Sequence, residues 1–460
     1  MTTGVMPAGG RVIRVYRHVF GAAWAGWQWA RGRPEGAYRR ALERSQYFDR
    51  DALRALQLRE LRRLLVHAYE FVPFYRGRFD AAGFRPDRIR SLEELRELPE
   101  LTKADIRAHL PDLVSTRPGR AVERRTTSGS TGVPLEFFLD ERYRTVGEAA
   151  RARSQSWYGF ARGDKSVHLA GSAWDLPRWS RRQRTLARVE RQRWFNLFDM
   201  TEARLRDFAQ GLERWRPDFI FGYASGLHAL AKTTERNQFR IRPRTVQSHA
   251  EQLWDFQRRT IEEAFQCPLI DTYGARESSP IATQCLVRDG LHVMADLRLV
   301  EVLDDEGRPT EPGQVGRVVL TDFTNYAMPL IRYANEDLAS WREDAPCPCG
   351  RTLPRLAAIH GRSSDVVRTK SGMRIHGYFF MFLFYGAQGI EQFQIRQTSL
   401  DDLEILIQPT QAFRPEFITE LKEKIDAHTG SAFRVSCRLV ERIPATAGKH
   451  RFTISDVPFE

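Results

Sequence analysis

Cysteine is scarce in this 460-residue sequence: there are five, an odd number, unevenly spaced. That excludes a disulfide scaffold of the kind that holds small secreted domains together. Long apolar runs are missing as well. The apolar stretch nearest the N-terminus, "VFGAAWAGWQWA" from Val19 to Ala30, falls well short of the roughly 20 residues that span a bilayer. The basic start leads to no long apolar core and no small-residue cleavage site, so no secretory signal is read there. Together these absences predict a cytoplasmic protein. Acidic residues are outnumbered, 58 against 71 Lys and Arg, and the net charge of +13 favours anionic partners. No nucleic-acid recognition module accompanies that charge. The densest run, "RWSRRQRTLARVERQRW" (178–194), reads as a solvated helix face, and no specific nucleic-acid partner is expected. Trp24, Trp27 and Trp29, interleaved with basic residues, make a helix that either packs on the protein body or contacts a membrane surface weakly.

What is present is enough for two or three domains. Residues 1–110 read as a helical N-terminal region. There "LRELRRLLVHAYEFVPFYRGRF" spaces leucines helically until Pro73, and Ser91 with Glu94 makes a capping-box signature. From 111 to 361 short apolar runs alternate with helical patterns. The runs include "DFIFGY" (218–223), "PLIDTYG" (268–274), "LRLVEVL" (297–303) and "GRVVLTDF" (316–323), and the alternation predicts α/β layers. The last two flank a polar turn and read as a strand pair. The composition changes at "GRSSDVVRTKSG" (361–372). Beyond it "LEILIQ" and "SAFRVSCRLV" read as strands around the helix "RPEFITELKEKIDAH", a small α+β unit over 362–460.

The chemistry begins at "TTSGSTGVP" (126–134). A Walker loop has four residues between its first Gly and its Gly-Lys pair. Here two residues separate Gly129 from Gly132, and Val133 stands where lysine would be. The hydroxyls of Thr127, Ser128, Ser130 and Thr131, with backbone N–H groups, can ring a phosphate but cannot neutralise a triphosphate. Cations must come from elsewhere. "DTYGARES" (271–278) puts Glu277 just past an apolar run, where ligands collect in α/β sheets. "NYAMPLIRYANEDLASW" (325–341) puts Asp337 after another, followed by "GRSSD" (361–365) and "TAGKHRF" (446–452).

In that order these motifs resemble the adenylate-forming enzyme superfamily, in its phenylacetate–CoA ligase-like and CapK-like branch, from about Leu58 onward. The resemblance implies a large multi-layer α/β adenylation domain with a small mobile C-terminal lid. It implies an enzyme that uses ATP and a small carboxylic acid to make an acyl-adenylate, then passes the acyl group on. The acceptor is CoA or an amine, and a non-catalytic nucleotide-binding descendant is the alternative of another class. It implies that Ser128–Gly132 holds the β- and γ-phosphates and that Tyr273 and Gly274 lie at the adenine and α-phosphate. Glu277 would ligate Mg²⁺ and Arg362 would reach the ribose or phosphate, with Asp365 near the hinge. Asp337 would accept from both ribose hydroxyls, as its two oxygens allow. The usual pattern there is Tyr-x-Thr-Gly-Asp, from which "YANED" departs at Asn335 and Glu336. Lys449 would swing in on the lid to bridge carboxylate and α-phosphate. Trp174, Tyr223 and Ser225 fall where relatives contact the acid, and core packing suits each of them equally.

A second constellation is metal-like. Cys347 and Cys349 form "CPCG", and Cys285 and His292 lie seven residues apart upstream. Three thiols and an imidazole suit a structural tetrahedral Zn²⁺, provided the two strands expected between the halves bring them together. The CapK-like branch often carries this arrangement.

Overall fold

The computed structural model describes residues 32–119, 122–127, 135–170, 181–197, 201–362, 366–371, 374–376, 387–443 and 451–457, and positions 16, 21, 23, 24, 26, 30, 380, 383 and 384. The chain forms two compact units, one of residues 1–335 and 339–359, the other of 336–338 and 360–460.

The first unit opens on helices. Asp49 caps the helix Arg50–Phe71 by accepting from the Ala52 amide, and Leu61, Leu64, Leu65 and Ala68 bury the helical stripe seen in the sequence. Each such leucine contributes about 1.5–3 kcal/mol. The helix stops before Pro73, which opens the next one, Pro73–Ala81, at its first turn. The Ser91–Glu94 pair does not start an α-helix. The Glu94 carboxylate does accept from the Ser91 amide, but a short 3₁₀ turn, Glu93–Glu97, follows. Thr102 with Asp105 makes a complete capping box, ahead of the helix Lys103–Ala108. Trp24 at the N-terminus lies on the body: its indole donates to Glu35 at 3.0 Å and the Arg162 guanidinium covers its ring. The helix Arg181–Val189 in the arginine-rich run is exposed apart from Ala187 among residues 184–189.

Strands β1 (Val122–Thr126) and β2 (Glu136–Asp140) pair as an antiparallel hairpin. The main sheet is built from β3 (Ser166–Ala170), β4 (Gln192–Asn196), β5 (Phe219–Gly222), β6 (Thr245–His249), β7 (Leu269–Tyr273), β8 (Ala282–Thr283), β9 (Leu291–Val293), β10 (Arg298–Leu303), β11 (Val315–Asp322), β12 (Tyr333–Trp341) and β13 (Arg355–Arg362). Its order is β10-β11-β12-β13-β9-β8-β7-β6-β5-β3-β4. Strands β4, β3, β5, β6 and β7 are parallel neighbours, joined by helices such as Ala224–Arg236 and Asp255–Phe265. Strands β10 and β11 form the expected antiparallel pair. A fully buried ion pair, Arg153 with Asp296, fastens the helices Glu35–Ser45 and Glu141–Ser156 to the sheet. Arg153 also donates to the Leu42 carbonyl, and Ser45 donates to Asp296.

In the second unit β14 (Val366–Arg368) pairs with β15 (Arg374–His376). A four-stranded sheet has the order β18-β17-β16-β19, from β16 (Ile390–Gln397), β17 (Asp402–Pro409), β18 (Arg434–Leu439) and β19 (Thr453–Ser455). The helix Glu416–Thr429 buries Leu421 and Ile425. The α/β class with a small C-terminal domain, as read from the sequence, is the observed architecture.

Candidate active site and metal centre

Because β3, β5, β6 and β7 run parallel, their C-terminal ends share one edge, the place where open α/β sheets bind ligands. Close packing there needs Gly222: a Cβ would come within 2.7 Å of the Leu169 Cβ on β3. Tyr223 follows β5, is buried, and meets the His249 ring edge-on at 5.6 Å. The Ser225 hydroxyl and amide both donate to Glu251, at 3.1 and 2.8 Å. Ser225 therefore orients Glu251, a carboxylate that sequence reasoning missed because no motif surrounds it. Burial pushes the His168 imidazole on β3 down to about 3, and the neutral ring stacks between Trp194 and Phe221.

The segment after β7 is braced from two sides. Ala275 and Ser278 exchange backbone hydrogen bonds. The Ser278 hydroxyl donates to Asp322 at 2.7 Å, and Asp322 is itself held by buried Arg298 at 3.1 Å. A side chain at Gly274 would press to 2.7 Å from the Ser279 hydroxyl. On the other side β12 supplies two ties. The Tyr333 phenol donates to Glu277 Oε1 at 2.9 Å, and Asn335 Nδ2 donates to the Tyr273 hydroxyl at 2.8 Å. Glu277 is buried and carries two oxygens with room for several donors or a cation.

Asn335 and Glu336, where the sequence departs from the usual pattern, now have physical accounts. Asn335 anchors Tyr273. Glu336 takes φ +69°, the left-handed conformation that a glycine would adopt freely. The backbone bend survives without glycine. In the second unit Arg362 Nε lies 3.6 Å from Asp337 Oδ1. These two predicted residues are thus neighbours.

At the base of the β1–β2 hairpin, the Thr127 amide donates to the Leu135 carbonyl at 2.8 Å, and the Thr127 hydroxyl accepts from the Leu135 amide at 2.9 Å. Thr127 closes the loop at its root. Ser128, Gly129, Ser130, Thr131, Gly132, Trp174, Asp365 and Lys449 lie outside the described residues.

Cys285, His292, Cys347 and Cys349 converge, with their four ligand atoms all within 4.8 Å of one another. Turns aim the thiols: Arg288 N–H bonds the Cys285 carbonyl, and Gly350 N–H, at φ +80°, bonds that of Cys347. Three strands, not the two expected, lie between the halves, and the register Arg355↔His292 of β13 on β9 closes the gap. Cys285 and Cys347 sulfurs are 3.8 Å apart, the edge of a tetrahedron with metal–sulfur bonds of about 2.3 Å. His292 Nδ1 faces the Leu353 carbonyl at 3.3 Å, which leaves Nε2 pointing to Cys349, 3.3 Å away. Such a carbonyl partner fixes the tautomer of a metal-binding histidine. Burial pushes the Cys347 thiol up to about 12 and the His292 imidazole down to about 4. The donor set fits Zn²⁺.

The family model for the CapK C-terminal domain matches residues 367–456. A phenylacetate-coenzyme A ligase from Thermus thermophilus is 29% identical over 400 residues, covering 81% of this chain and 85% of its own. Protein CapK of Staphylococcus aureus is 22% identical over 376 residues, 80% of this chain and 81% of its own. A crystal structure of 2-hydroxyisobutyryl-CoA ligase in the postadenylation state superposes with a TM-score of 0.72 at 23% identity, over 90% of this chain and 91% of that one. No helix among the described residues is long and apolar enough to cross a membrane.

Proposed function

Since the chain belongs to the phenylacetate–CoA ligase-like and CapK-like branch of the adenylate-forming enzymes, we propose that it activates an organic acid with ATP and passes the acyl group to the thiol of coenzyme A. A carboxylate oxygen attacks the α-phosphorus, the bond to the β-phosphate breaks, and pyrophosphate leaves. The CoA thiolate then attacks the acyl carbonyl and AMP leaves. Glu277 carries this reading. It is a buried carboxylate at the ligand-binding edge of a parallel sheet, held by Tyr333 on a loop that Asp322 and Arg298 anchor.

In this reading residues 1–361 form the adenylation domain and 362–460 its lid. Glu277 holds Mg²⁺, which supplies positive charge to the phosphates. The loop Ser128–Gly132 receives the β- and γ-phosphates on a root closed by Thr127. Tyr273 and Gly274 lie along the adenine and α-phosphate, and Asp337 accepts from the ribose hydroxyls with Arg362 beside it. Trp174, Tyr223 and Ser225 border the acid, Ser225 by way of Glu251. The reducing cytoplasm, which supplies ATP and CoA, is the proposed compartment. ATP–pyrophosphate exchange over a panel of aryl and fatty acids tests the first half-reaction. Exchange that depends on the acid, followed by thioester when CoA is added, is the expected result. Amide formed from added amines would redirect the second half-reaction. ATP binding without exchange for any acid would leave only a nucleotide-binding role.

The four-ligand cluster is proposed as a structural zinc site, since three thiols and an imidazole make it up and no acidic residue joins the group among the described residues. Protein purified without added metal should contain about one zinc per chain. Cys347→Ser should lower thermal stability more than it lowers turnover per folded molecule. Elemental analysis decides: zinc far below one equivalent in protein never exposed to chelator sinks the site.

A further inference from the structure

The segment after β7 is fastened to the body of the first unit at several points. Ser278 donates to Asp322, which buried Arg298 holds. The Ser279 amide donates to the Tyr143 hydroxyl at 3.1 Å, and Arg276 Nη1 donates to the Thr126 carbonyl at 3.2 Å. Ala275 and Ser278 exchange backbone bonds within the turn. The two bonds from β12 are of another kind, because each runs from one side-chain tip to another. The Tyr333 phenol ends on the Glu277 carboxylate, and the Asn335 amide ends on the Tyr273 hydroxyl. They act on where two side chains point rather than on where the backbone runs. Tyr333 and Asn335 stand two apart on β12, so they share a face of the strand, roughly 6.5 Å apart along it.

We propose that β12 sets the aim of the nucleotide site: Tyr333 is a positioning residue that turns Glu277 toward a divalent cation, and Asn335 is one that holds the Tyr273 ring along the nucleobase. The inference rests on the adenylate-forming reading above and adds to it two residues that act through others. Glu277 is buried, and among the described residues it has no ion-pair partner and one hydrogen-bond donor, the Tyr333 phenol at Oε1. A buried carboxylate with a single neutral donor is short of compensation, and a cation on Oε2 supplies it. A neutral phenol suits that task. It orients the carboxylate and leaves its negative charge for the metal, whereas an arginine or lysine in its place would compete with the metal. Hydroxyl and amide partners of this kind orient metal ligands generally. Asn335 and Tyr273 are both buried as well. A ring held by β7 at one end and by Asn335 at its hydroxyl has its plane set before a planar base arrives, so binding does not have to order it.

The two ties predict different signatures. Calorimetry on the full chain should compare AMP in the presence of chelator with ATP at saturating Mg²⁺, since the cation takes part in the second alone. Tyr333→Phe is expected to weaken Mg²⁺–ATP binding roughly 10- to 100-fold, the usual effect of removing the partner of a metal ligand, with AMP affinity within about twofold. In a Glu277→Gln background the same replacement should add no further loss, because Tyr333 acts through the carboxylate. Asn335→Ala should weaken AMP and Mg²⁺–ATP alike, by roughly 2- to 10-fold, the scale of one neutral hydrogen bond. It should add nothing once Tyr273→Phe has removed the hydroxyl that it holds. Equal weakening of both ligands by Tyr333→Phe, unchanged binding in either single variant, or losses that add in the double variants would overturn the proposal and reduce β12 to a structural support. Unaltered protein that binds neither AMP nor Mg²⁺–ATP would instead overturn the adenylate-forming reading itself. Should Tyr333→Phe alone lower the thermal midpoint, the glutamine background, which leaves no buried charge to strand, still decides the Tyr333 arm through additivity.

Discussion

Replacing Lys449 by alanine should slow acyl-adenylate formation by roughly 10²- to 10³-fold, the usual cost of removing one preorganised transition-state contact, while ATP affinity stays within a few-fold. The split follows from when the contact is made. If Lys449 bridges the carboxylate and the α-phosphate only as the phosphorus becomes pentavalent, it contributes little to the bound ground state and much to the barrier. The chain from Arg451 onward is tied into the sheet of the second unit. Gln394 donates to the Arg451 carbonyl at 3.0 Å, Ile395 N–H bonds the Phe452 carbonyl at 2.7 Å, and Thr453 opens β19 beside β16. Lys449 itself lies outside the described residues. Single-turnover adenylation and equilibrium ATP binding separate the two effects. An alanine variant that exchanges pyrophosphate as fast as the parent removes Lys449 from the mechanism.

The second large effect is on stability. Asp296→Ala should destabilise the first unit by about 3–5 kcal/mol, because it strands the Arg153 guanidinium in the interior. Neither side chain of this pair has any measurable exposure. Arg153 Nη2 lies 3.1 Å from Asp296 Oδ1, and Nη1 spends a bond on the Leu42 carbonyl at 2.9 Å. Among the described residues Arg153 has no second ion-pair partner, so removal of the carboxylate leaves a buried charge uncompensated. The double replacement Arg153→Met with Asp296→Leu removes the burden and should recover most of the loss, since well-packed apolar residues often match a buried ion pair. Urea denaturation followed by circular dichroism measures both. A single variant less than about 1 kcal/mol below the parent would mean that the interior relaxes around the arginine.

Local sequence signals reported local structure well. The apolar runs that read as strands became β5, β7, β10 and β11; β5, Phe219–Gly222, is buried at every position, as suits a strand covered on both faces. Cys285, His292, Cys347 and Cys349 were legible as a candidate metal set, since few residue types bind zinc, and their side chains converge. Neighbours across the sheet were not legible. Nothing local says that β13 inserts between β12 and β9, and that pairing brings the cysteines together. Arginines were the least readable residues. Arg153 sits in "ARARSQS", which looks like a solvated helix face, yet it is fully buried. Arg276 is one positive charge among many until its reach to Thr126 is seen. The Ser91 capping signature misled because its glutamate did bond the amide, while the chain that follows turns too tightly for an α-helix. Glu336 hid a glycine-like bend behind a side chain that rarely adopts it.

The insertion of β13 beside β9 also imposes a schedule on synthesis. On the ribosome, β8 and β9 emerge together, but the far side of β9 has no strand to pair with until β10, β11 and β12 have been made. Arg355 of β13 follows its β9 partner His292 by 355 − 292 = 63 residues, which at ordinary elongation rates of about 5–20 residues per second leaves that edge open for roughly 3 to 13 s. A bare strand edge with buried-type residues such as Leu291 and Val293 is a template for wrong partners. The nascent chain therefore passes through an interval in which the cell, and not the fold, must shield the centre of its largest sheet.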